Sequence, residues 1–310
     1  MAKFNRLISE YLRVFKCKLS PSNMRSSNDE ARILELKNLL LEKETISRDD
    51  KVIWMFWDSG LDTAPDVVKL SYQSWVKLNP DYKVTCLDVH SLKVLIGFDF
   101  FEIFKYSTVN LGAAGKSDLL RLYLLNQFGG VWADATTFCK KPLSMWLTIS
   151  KTGFFCFREK TANDRQLVSW FLASEKNHPI IKDLLEKSLD YLLKPRIHNL
   201  DVRGLKSTYL LVRDERYISK SGSGFDLLND LEQKYCTPYF WMFYLFNEVI
   251  KEYMNVWDEI NKLSNQYAEL NDSYSEFFKS VVSKQTYRTK YTNDVIYKER
   301  VSYILKSLGL

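Results

Sequence analysis

The spacing of apolar residues changes character near residue 51 of this chain. Residues 1–20 carry apolar side chains at helical spacing, and a second helix is predicted from a capping box formed by Ser27 and Glu30. After Lys51, short apolar runs bounded by turn residues predict strands. These strands are expected at Val52–Trp57, Tyr82–Leu87, Val131–Ala135 and Phe154–Phe157.

Helical patterns separate and follow the predicted strands. They are expected at Pro65–Lys77, Ser117–Phe128, Gln166–Ser174, Pro179–Leu193 and Tyr239–Leu263. Strands that alternate with helices predict an α/β fold, with a mostly parallel sheet covered on both faces. The chain is therefore divided into N-terminal helices (1–50), an α/β domain (51–240) and a mainly helical C-terminal region (241–310).

The composition of the 310 residues is that of a globular protein. Hydrophobic residues make up 46% and charged residues 26%, which excludes collagen, coiled-coil and disordered classes. Five cysteines without a C-x-x-C pair argue against a disulfide framework and against a zinc ribbon. No signal peptide is recognised, and the longest apolar run is too short to span a membrane. A cytoplasmic protein is expected.

The charge is distributed unevenly along the chain. The net charge of +6 is too small to predict a nucleic-acid partner. Residues 1–20, however, hold five basic residues and one acidic residue. A basic amphipathic helix either lies on an anionic membrane surface or packs on its own domain, and the sequence leaves both open.

The stretch from Gly115 to Phe138 carries the candidate chemistry. Ser117 is expected to cap a helix that Gly129 ends in a left-handed conformation. Asp118 and Arg121 are three residues apart and share one helical face, where they either bind sugar hydroxyls or form a surface ion pair.

A second acid follows at the end of a predicted strand. Asp134 is expected at the carboxyl end of a parallel strand, where α/β sheets bind ligands, and the alternative is a capping role in a turn. Gly115-Lys116-Ser117 is similar to the end of a phosphate-binding loop. Asn110 stands where the first glycine of that loop is required, so a nucleoside triphosphatase is disfavoured.

The ordered set Ser117-Asp118, Arg121 and Gly129 to Thr136 resembles the sugar-nucleotide-binding region of DXD-type glycosyltransferases. The closest branch is that of capsular polysaccharide synthesis proteins. Flanking similarities lie at Ile53–Trp57 and at Ser169–Ser174. The resemblance covers residues 51–193.

This resemblance implies a GT-A fold and a retaining hexosyltransferase. The implied donor is a nucleotide sugar, usually linked to UDP, and the acceptor a saccharide, here expected to be lipid-linked and part of bacterial capsule or surface polysaccharide synthesis. The enzyme is then expected at the inner face of the cell membrane, with residues 1–20 as a peripheral contact. The alternative is a non-catalytic, sugar-nucleotide-binding scaffold of a capsule assembly complex.

The resemblance also implies roles for individual residues. Asp134 is the expected catalytic residue and reaches the ribose and the water shell of a divalent metal. The other expected substrate-binding residues are Ser117, Asp118 and Arg121 around the donor sugar, Trp57 stacked on the base, and Trp132 in the pocket lining.

Two departures from the family pattern leave open whether the protein requires a metal. The second acid of the motif is Thr136, so Asp134 and Thr136 are expected to bind Mn²⁺ or Mg²⁺ only weakly. Phe243 stands where the family often places a histidine. Positive side chains are then expected to stabilise the leaving diphosphate. The candidates, which are alternatively a solvated basic face, are Arg203, Lys206, Arg213, Arg216 and Lys220.

Overall fold

The structure is a computed structural model that describes residues 2–19, 25–42, 51–148, 151–162, 164–212 and 224–309. Side chains in the first of these ranges are described from residue 5 onward. Three of the five candidate basic residues, Arg213, Arg216 and Lys220, lie outside the described residues.

The strands form one central sheet and two small ones. The central sheet has the order β2-β1-β4-β7-β6, and the small sheets have the orders β10-β11-β5 and β3-β8-β9. The bounds are β1 Val52–Phe56, β2 Lys83–Leu87, β3 Val109–Asn110, β4 Gly130–Ala133, β5 Thr137–Cys139, β6 Phe154–Arg158, β7 Leu167–Ser174, β8 Leu200–Arg203, β9 Cys236–Pro238, β10 Tyr267–Ala268 and β11 Val282–Lys284.

The central sheet is mixed, which corrects the prediction of a mostly parallel one. Strand β1 runs parallel to β2 and to β4, whereas β7 runs antiparallel to both β4 and β6. The segment Gln166–Ser174 was predicted to be helical and is the strand β7 instead. All eight residues of β7, Leu167–Ser174, are buried, and a largely apolar run of this length fits a strand covered on both faces as well as a helix.

Helices surround the sheets. Their bounds are α1 Ala2–Leu19, α2 Ser27–Leu41, α3 Asp66–Leu78, α4 Val89–Ile96, α5 Ala113–Phe128, α6 Pro179–Leu193, α7 Leu205–Val212, α8 Phe225–Glu232, α9 Trp241–Ile250, α10 Met254–Lys262, α11 Tyr274–Lys279, α12 Thr289–Thr292 and α13 Val295–Leu308. Short 3₁₀ helices lie at Phe100–Lys105, Leu143–Met145 and Lys251–Tyr253.

The central sheet separates two hydrophobic cores. Trp54 and Trp132 point into the core that also contains the buried side chains of α2, α5, α6 and α9. Their neighbours Ile53 and Val131 point into the core formed with α3 and α13. Successive side chains of a strand face opposite sides of a sheet, so helices cover both faces as predicted.

The helix that carries Asp118 and Arg121 begins earlier than predicted. Helix α5 starts at Ala113 with Gly112 as its N-cap, so Ser117 lies within the helix and does not cap it. At the other end, Gly129 has a positive φ of 69°, but its ψ of −162° lies outside the left-handed helical region. A Cβ at this position would lie 2.8 Å from the backbone nitrogen of Lys176, so only glycine fits.

The capping box of α2 lies one residue earlier than predicted. The side chain of Ser26 accepts from the backbone nitrogen of Asp29, and the carboxylate of Asp29 accepts from the backbone nitrogen of Ser26. The predicted pair was Ser27 and Glu30. The one-residue shift follows because Ser26 and Asp29 offer the same spacing of residue types.

The C-terminal region contributes strands as well as helices. Strand β11 pairs antiparallel with β5, and the pairing sets Lys284 opposite Thr137. The pairing continues beyond β11, where the backbone nitrogen of Gln285 donates to the carbonyl of Thr136 at 2.9 Å. This small sheet brings residues from the end of the chain next to the motif that contains Asp134.

Helix α1 is attached to the protein by its polar side. Glu10 is 1% exposed and forms ion pairs with Arg13 and Arg203. Arg13 also donates to the backbone carbonyls of Lys234 and Tyr235. Among the described helices, none is long and apolar enough to cross a membrane.

Candidate active site

Two residues of α5 and the residue that follows β4 come together at the carboxyl end of β4. Arg121 Nη1 lies 3.1 Å from Asp118 Oδ1, and Arg121 Nη2 lies 3.1 Å from Asp134 Oδ1. One guanidinium therefore joins carboxylates from two different elements. The three residues converge as their proposed roles require, and the roles themselves stay predictions.

A lysine from the other end of the chain completes the group. Lys284, the last residue of β11, forms an ion pair with Oδ2 of Asp134, and the indole nitrogen of Trp132 donates to Oδ1 at 2.8 Å. Asp134 thus accepts hydrogen bonds from Lys284 and Trp132 and forms a further ion pair with Arg121. The side chains of Asp134 and Lys284 are each 22% exposed, so a ligand can reach this pair from solvent.

The two carboxylates have opposite electrostatic environments. Burial raises the pKa of Asp118 to about 6, with the negative charge of Asp134 adding to the rise and Arg121 opposing it. Burial also acts to raise the pKa of Asp134, but Lys284 and Arg121 lower it below its ordinary value. At neutral pH the carboxyl group of Asp134 is therefore ionised, whereas the pKa of Asp118 lies closer to neutral pH.

One donor of Arg121 is left without a hydrogen bond. The guanidinium is buried, and its Nη1 makes no hydrogen bond of good geometry to any residue within the described ranges, despite lying 3.1 Å from Asp118. Its Nε donates to the carbonyl of Ser117 at 3.3 Å. A buried donor without an acceptor is costly, so this nitrogen suits an oxygen of a bound ligand.

Trp132 and Ser117 both contact Arg121. Trp132 is 1% exposed, and the guanidinium carbon of Arg121 lies 5.3 Å from its ring centroid. Trp132 therefore contacts both Arg121 and Asp134, and its place in the lining of a donor pocket stays a prediction. Ser117 is half-buried and contributes its carbonyl to Arg121.

Trp57 lies on the next strand of the sheet. It follows β1, its backbone nitrogen donates to the carbonyl of Leu87, and its ring is partly exposed. Tyr287 packs edge to face against this ring with 5.3 Å between the centroids. Stacking of Trp57 on a nucleotide base stays a prediction, now with Tyr287 as its neighbour.

The oxygens expected to bind a metal are engaged elsewhere. The hydroxyl of Thr136 donates to the carbonyl of Gln285 at 3.0 Å, and Thr136 is 6% exposed. Asp134 already faces the ammonium of Lys284. Within the described part of the chain, no three His, Cys, Asp or Glu side chains are grouped to hold a metal ion. As arranged, these oxygens do not fit a divalent cation, and a metal requirement stays a prediction.

A cleft of about 410 Å³ opens beside this site. Its lining comes from α1, from the start of α7 and from the residues before α9, and consists of Arg6, Gly204, Leu205, Lys206, Ser207, Tyr239 and Phe240. Burial raises the pKa of Tyr239, and the charges of Asp118 and Asp134 raise it further. Tyr239 therefore brings one part of the cleft lining within electrostatic range of the two carboxylates.

The sequence missed Lys284 and favoured other basic residues. Arg203 pairs with Glu10 of α1, and Lys206 lines the cleft beside the site. Lys284 is 150 residues from Asp134 in sequence. The only local signal is the run Val281-Val282 before it, which is typical of a strand.

The fold and this site define a class: a mixed α/β protein whose carboxylates and guanidinium meet where a central strand ends. Residues 28–199, more than half of the chain, match the sequence profile of the family described as capsular polysaccharide synthesis protein. The chain belongs to this family, which confirms the resemblance found in the motif.

Curated relatives match shorter parts of the chain. It is 30% identical to the O-glycosyltransferase braB of Annulohypoxylon truncatum over an alignment of 155 residues that covers 44% of this chain and 36% of that protein. It is 25% identical to the initiation-specific alpha-1,6-mannosyltransferase of Candida albicans over an alignment of 166 residues that covers 46% of this chain and 43% of that protein. The matches thus span less than half of these relatives.

A solved structure titled PaToxG Glycosyltransferase aligns with 97% of this chain and 96% of its own length. The identity is 15% and the TM-score is 0.34. A likeness of this size supports no argument about the fold or the activity of this protein. The assignment to a family therefore depends on the sequence profile.

Proposed function

We propose that this protein is a retaining glycosyltransferase of the GT-A type that transfers a hexose from a nucleotide sugar, with UDP as the expected nucleotide, to a saccharide acceptor. Membership of the capsular polysaccharide synthesis family and two relatives named as glycosyltransferases support this proposal. Under it, residues 51–240 form the catalytic domain, and residues 241–310 complete its site through Lys284.

The observation that carries the proposal is the pair of carboxylates joined by Arg121. Asp118 and Asp134 are acceptors for the hydroxyls of the donor, and Nη1 of Arg121 is a donor without a hydrogen-bond partner among the described residues. Adjacent sugar hydroxyls both donate and accept hydrogen bonds, so such a set matches them. A surface ion pair would not require the burial seen here, with Arg121 3% exposed.

Glycosyl transfer requires stabilisation of the negative charge that develops on the leaving nucleoside diphosphate. As the bond from the anomeric carbon to the β-phosphate oxygen breaks, its electron pair goes to that oxygen. The acceptor hydroxyl oxygen bonds to the anomeric carbon, and its proton passes to the departing diphosphate. Positively charged side chains that are already in place lower the activation barrier, because they need not rearrange as negative charge forms on the diphosphate.

The adjoining cleft is the proposed acceptor site. Tyr239 lines the cleft and lies within electrostatic range of both carboxylates, and Arg6 of α1 also lines the cleft. An acceptor in the cleft would place its hydroxyl toward the donor sugar while contacting α1. A lipid-linked saccharide acceptor, as expected in the synthesis of bacterial surface polysaccharides, fits this arrangement.

Release of nucleoside diphosphate from a panel of donors tests the function. The panel contains UDP-hexoses and, because one relative is named as a mannosyltransferase, GDP-mannose. Wild-type protein is expected to release diphosphate slowly from one donor, and Asp134→Asn is expected to lower this rate at least about 100-fold. Asp81→Asn, a change in an exposed carboxylate on a turn, is the matched control and is expected to keep the rate.

The rival function is that of a non-catalytic scaffold that binds a sugar nucleotide. A scaffold would be stabilised by a donor in a thermal-shift measurement but would release no diphosphate from any of them. Binding without turnover, with saccharide acceptors present, would therefore replace the proposed enzyme by the scaffold. Turnover that Asp134→Asn leaves unchanged would refute the proposed site.

Helix α1 also supports the proposal that the protein binds peripherally to the anionic inner face of the cell membrane. Glu10 and Arg13 face the protein, and five apolar side chains of the helix face solvent: Ile8, Tyr11, Leu12, Phe15 and Leu19 are 44–69% exposed. Lys16 and Lys18 are exposed as well. An apolar stripe flanked by cations suits the boundary between headgroups and acyl chains.

Flotation with vesicles tests this contact. Full-length protein is expected to float with vesicles containing phosphatidylserine, and the double variant Leu12→Ser, Phe15→Ser to bind at least about tenfold more weakly, since each buried apolar side chain contributes about 1.5–3 kcal/mol. The control is Leu34→Ser, Val94→Ser, which removes exposed apolar groups from α2 and α4. Equal flotation of both variants would exclude α1 as the contact.

A further inference from the structure

An ammonium group lies against the carboxylate that the motif would offer to a divalent cation. Lys284 lies against Oδ2 of Asp134, and Arg121 lies against Oδ1. Asp118, Asp134, Arg121 and Lys284 together carry two negative and two positive charges. A divalent cation entering this balanced group would be repelled by two cations and would have to displace Lys284 first.

The backbone, not the side chain alone, fixes Lys284 at this place. Strand β11 pairs with β5 so that Lys284 is opposite Thr137, and the neighbouring Gln285 and Thr136 are joined by two hydrogen bonds of 2.9 and 3.0 Å. The Thr136 hydroxyl that stands in place of the second acid of the motif is used in one of them. The departure at Thr136 and the approach of Lys284 are thus parts of one arrangement.

We propose, on the basis of the proposed function, that Lys284 takes the place of the divalent cation and that a nucleoside diphosphate group binds at this site without a metal. Lys284 is 22% exposed and keeps two N–H donors beyond the one directed at Asp134. The ammonium is a compact charge on a flexible stem, so it can turn from Asp134 to a phosphate oxygen. Arg121 then remains as the partner of Asp134.

Binding of the nucleoside diphosphates UDP and GDP by isothermal titration calorimetry tests this inference. Wild-type protein is expected to bind one of them with a dissociation constant that changes less than about threefold between EDTA and excess Mn²⁺. Lys284→Met, which keeps the length of the side chain and removes its charge, is expected to weaken binding at least about tenfold. Lys284→Arg is expected to restore most of it, and Lys290→Met, in an exposed lysine of α12, to change nothing.

A direct titration with Mn²⁺ gives a second readout. Electron paramagnetic resonance of wild-type protein without nucleotide is expected to show no manganese bound at Asp134, and Lys284→Met to gain affinity because one repelling charge is gone. Circular dichroism of each variant checks its folding. If Lys284→Met unfolds, wild-type binding in EDTA and the behaviour of Lys284→Arg still decide the matter.

The outcomes separate this inference from the function on which it rests. Nucleotide binding that EDTA abolishes and Mn²⁺ restores overturns the role of Lys284 and leaves the glycosyltransferase proposal standing. Binding that Lys284→Met leaves unchanged overturns it as well. If no nucleoside diphosphate and no nucleotide sugar binds, with or without metal, both proposals are overturned.

Discussion

Replacing Arg121 with lysine is expected to lower kcat/KM for donor turnover by about 100-fold or more. The guanidinium contacts Asp118 and Asp134 at 3.1 Å through two separate nitrogens, and a single ammonium does not span both carboxylates. The variant also removes the buried Nη1 that suits a ligand oxygen. Loss of one such preorganised donor in other enzymes costs about 10²–10³ in rate.

The control for this substitution is another buried arginine. Arg196 donates to Glu232 and Thr108, neither of which belongs to the site, and its side chain is 4% exposed. Arg196→Lys is expected to lower the thermal midpoint about as much as Arg121→Lys while keeping kcat/KM within about threefold. Diphosphate release and thermal unfolding of both proteins check this, and equal losses of activity would mean that Arg121 acts through stability alone.

Replacing Asp118 with asparagine is expected to raise stability at neutral pH while lowering activity. Burial raises the pKa of Asp118 from 3.8 to about 6. A rise of about two units corresponds to roughly 3 kcal/mol, as an upper value. Between pH 4 and pH 6 the Asp118 carboxyl loses its proton in the unfolded chain but keeps it in the folded protein. The free energy of unfolding therefore falls by up to this amount as the pH rises through that range.

The neutral amide of Asp118→Asn does not titrate, so the variant escapes that loss. The difference in unfolding free energy between variant and wild type is expected to be small at pH 4 and to grow to about 2–3 kcal/mol at pH 8. Urea denaturation at several pH values measures it, with the exposed Asp62→Asn as control. Donor turnover is expected to fall at least about tenfold, because a carboxylate acceptor is lost. A difference that does not change with pH would contradict the buried, titrating carboxyl.

The local part of the site was predictable because it lies within one short segment. Asp118 and Arg121 are three residues apart in one helix, so they share a helical face wherever that helix begins. The wrong prediction that Ser117 caps the helix therefore did not affect their placement. Asp134 follows a buried strand that ends where the next turn begins. Helical period and strand ends are local properties, and the sequence therefore placed these three residues together.

Other predictions failed where local patterns are ambiguous. The run Leu167–Ser174 is apolar except for Ser169 and Ser174, and whether it becomes a helix or a strand depends on its pairing with β4 and β6. The same pairing makes the sheet mixed, because β7 enters it antiparallel. No single-segment pattern carries this information.

The sequence by itself determined the family, the α/β class and the face that carries Asp118, Arg121 and Asp134, since short-range spacing fixes each of these. Only the tertiary structure decided what surrounds Asp134. Lys284 meets Asp134 because β11 pairs with β5 across 150 residues of chain, and one lysine among 44 basic residues carries no mark of that pairing. The charge balance of the site, and with it the proposed independence from metal, follows from this long-range contact.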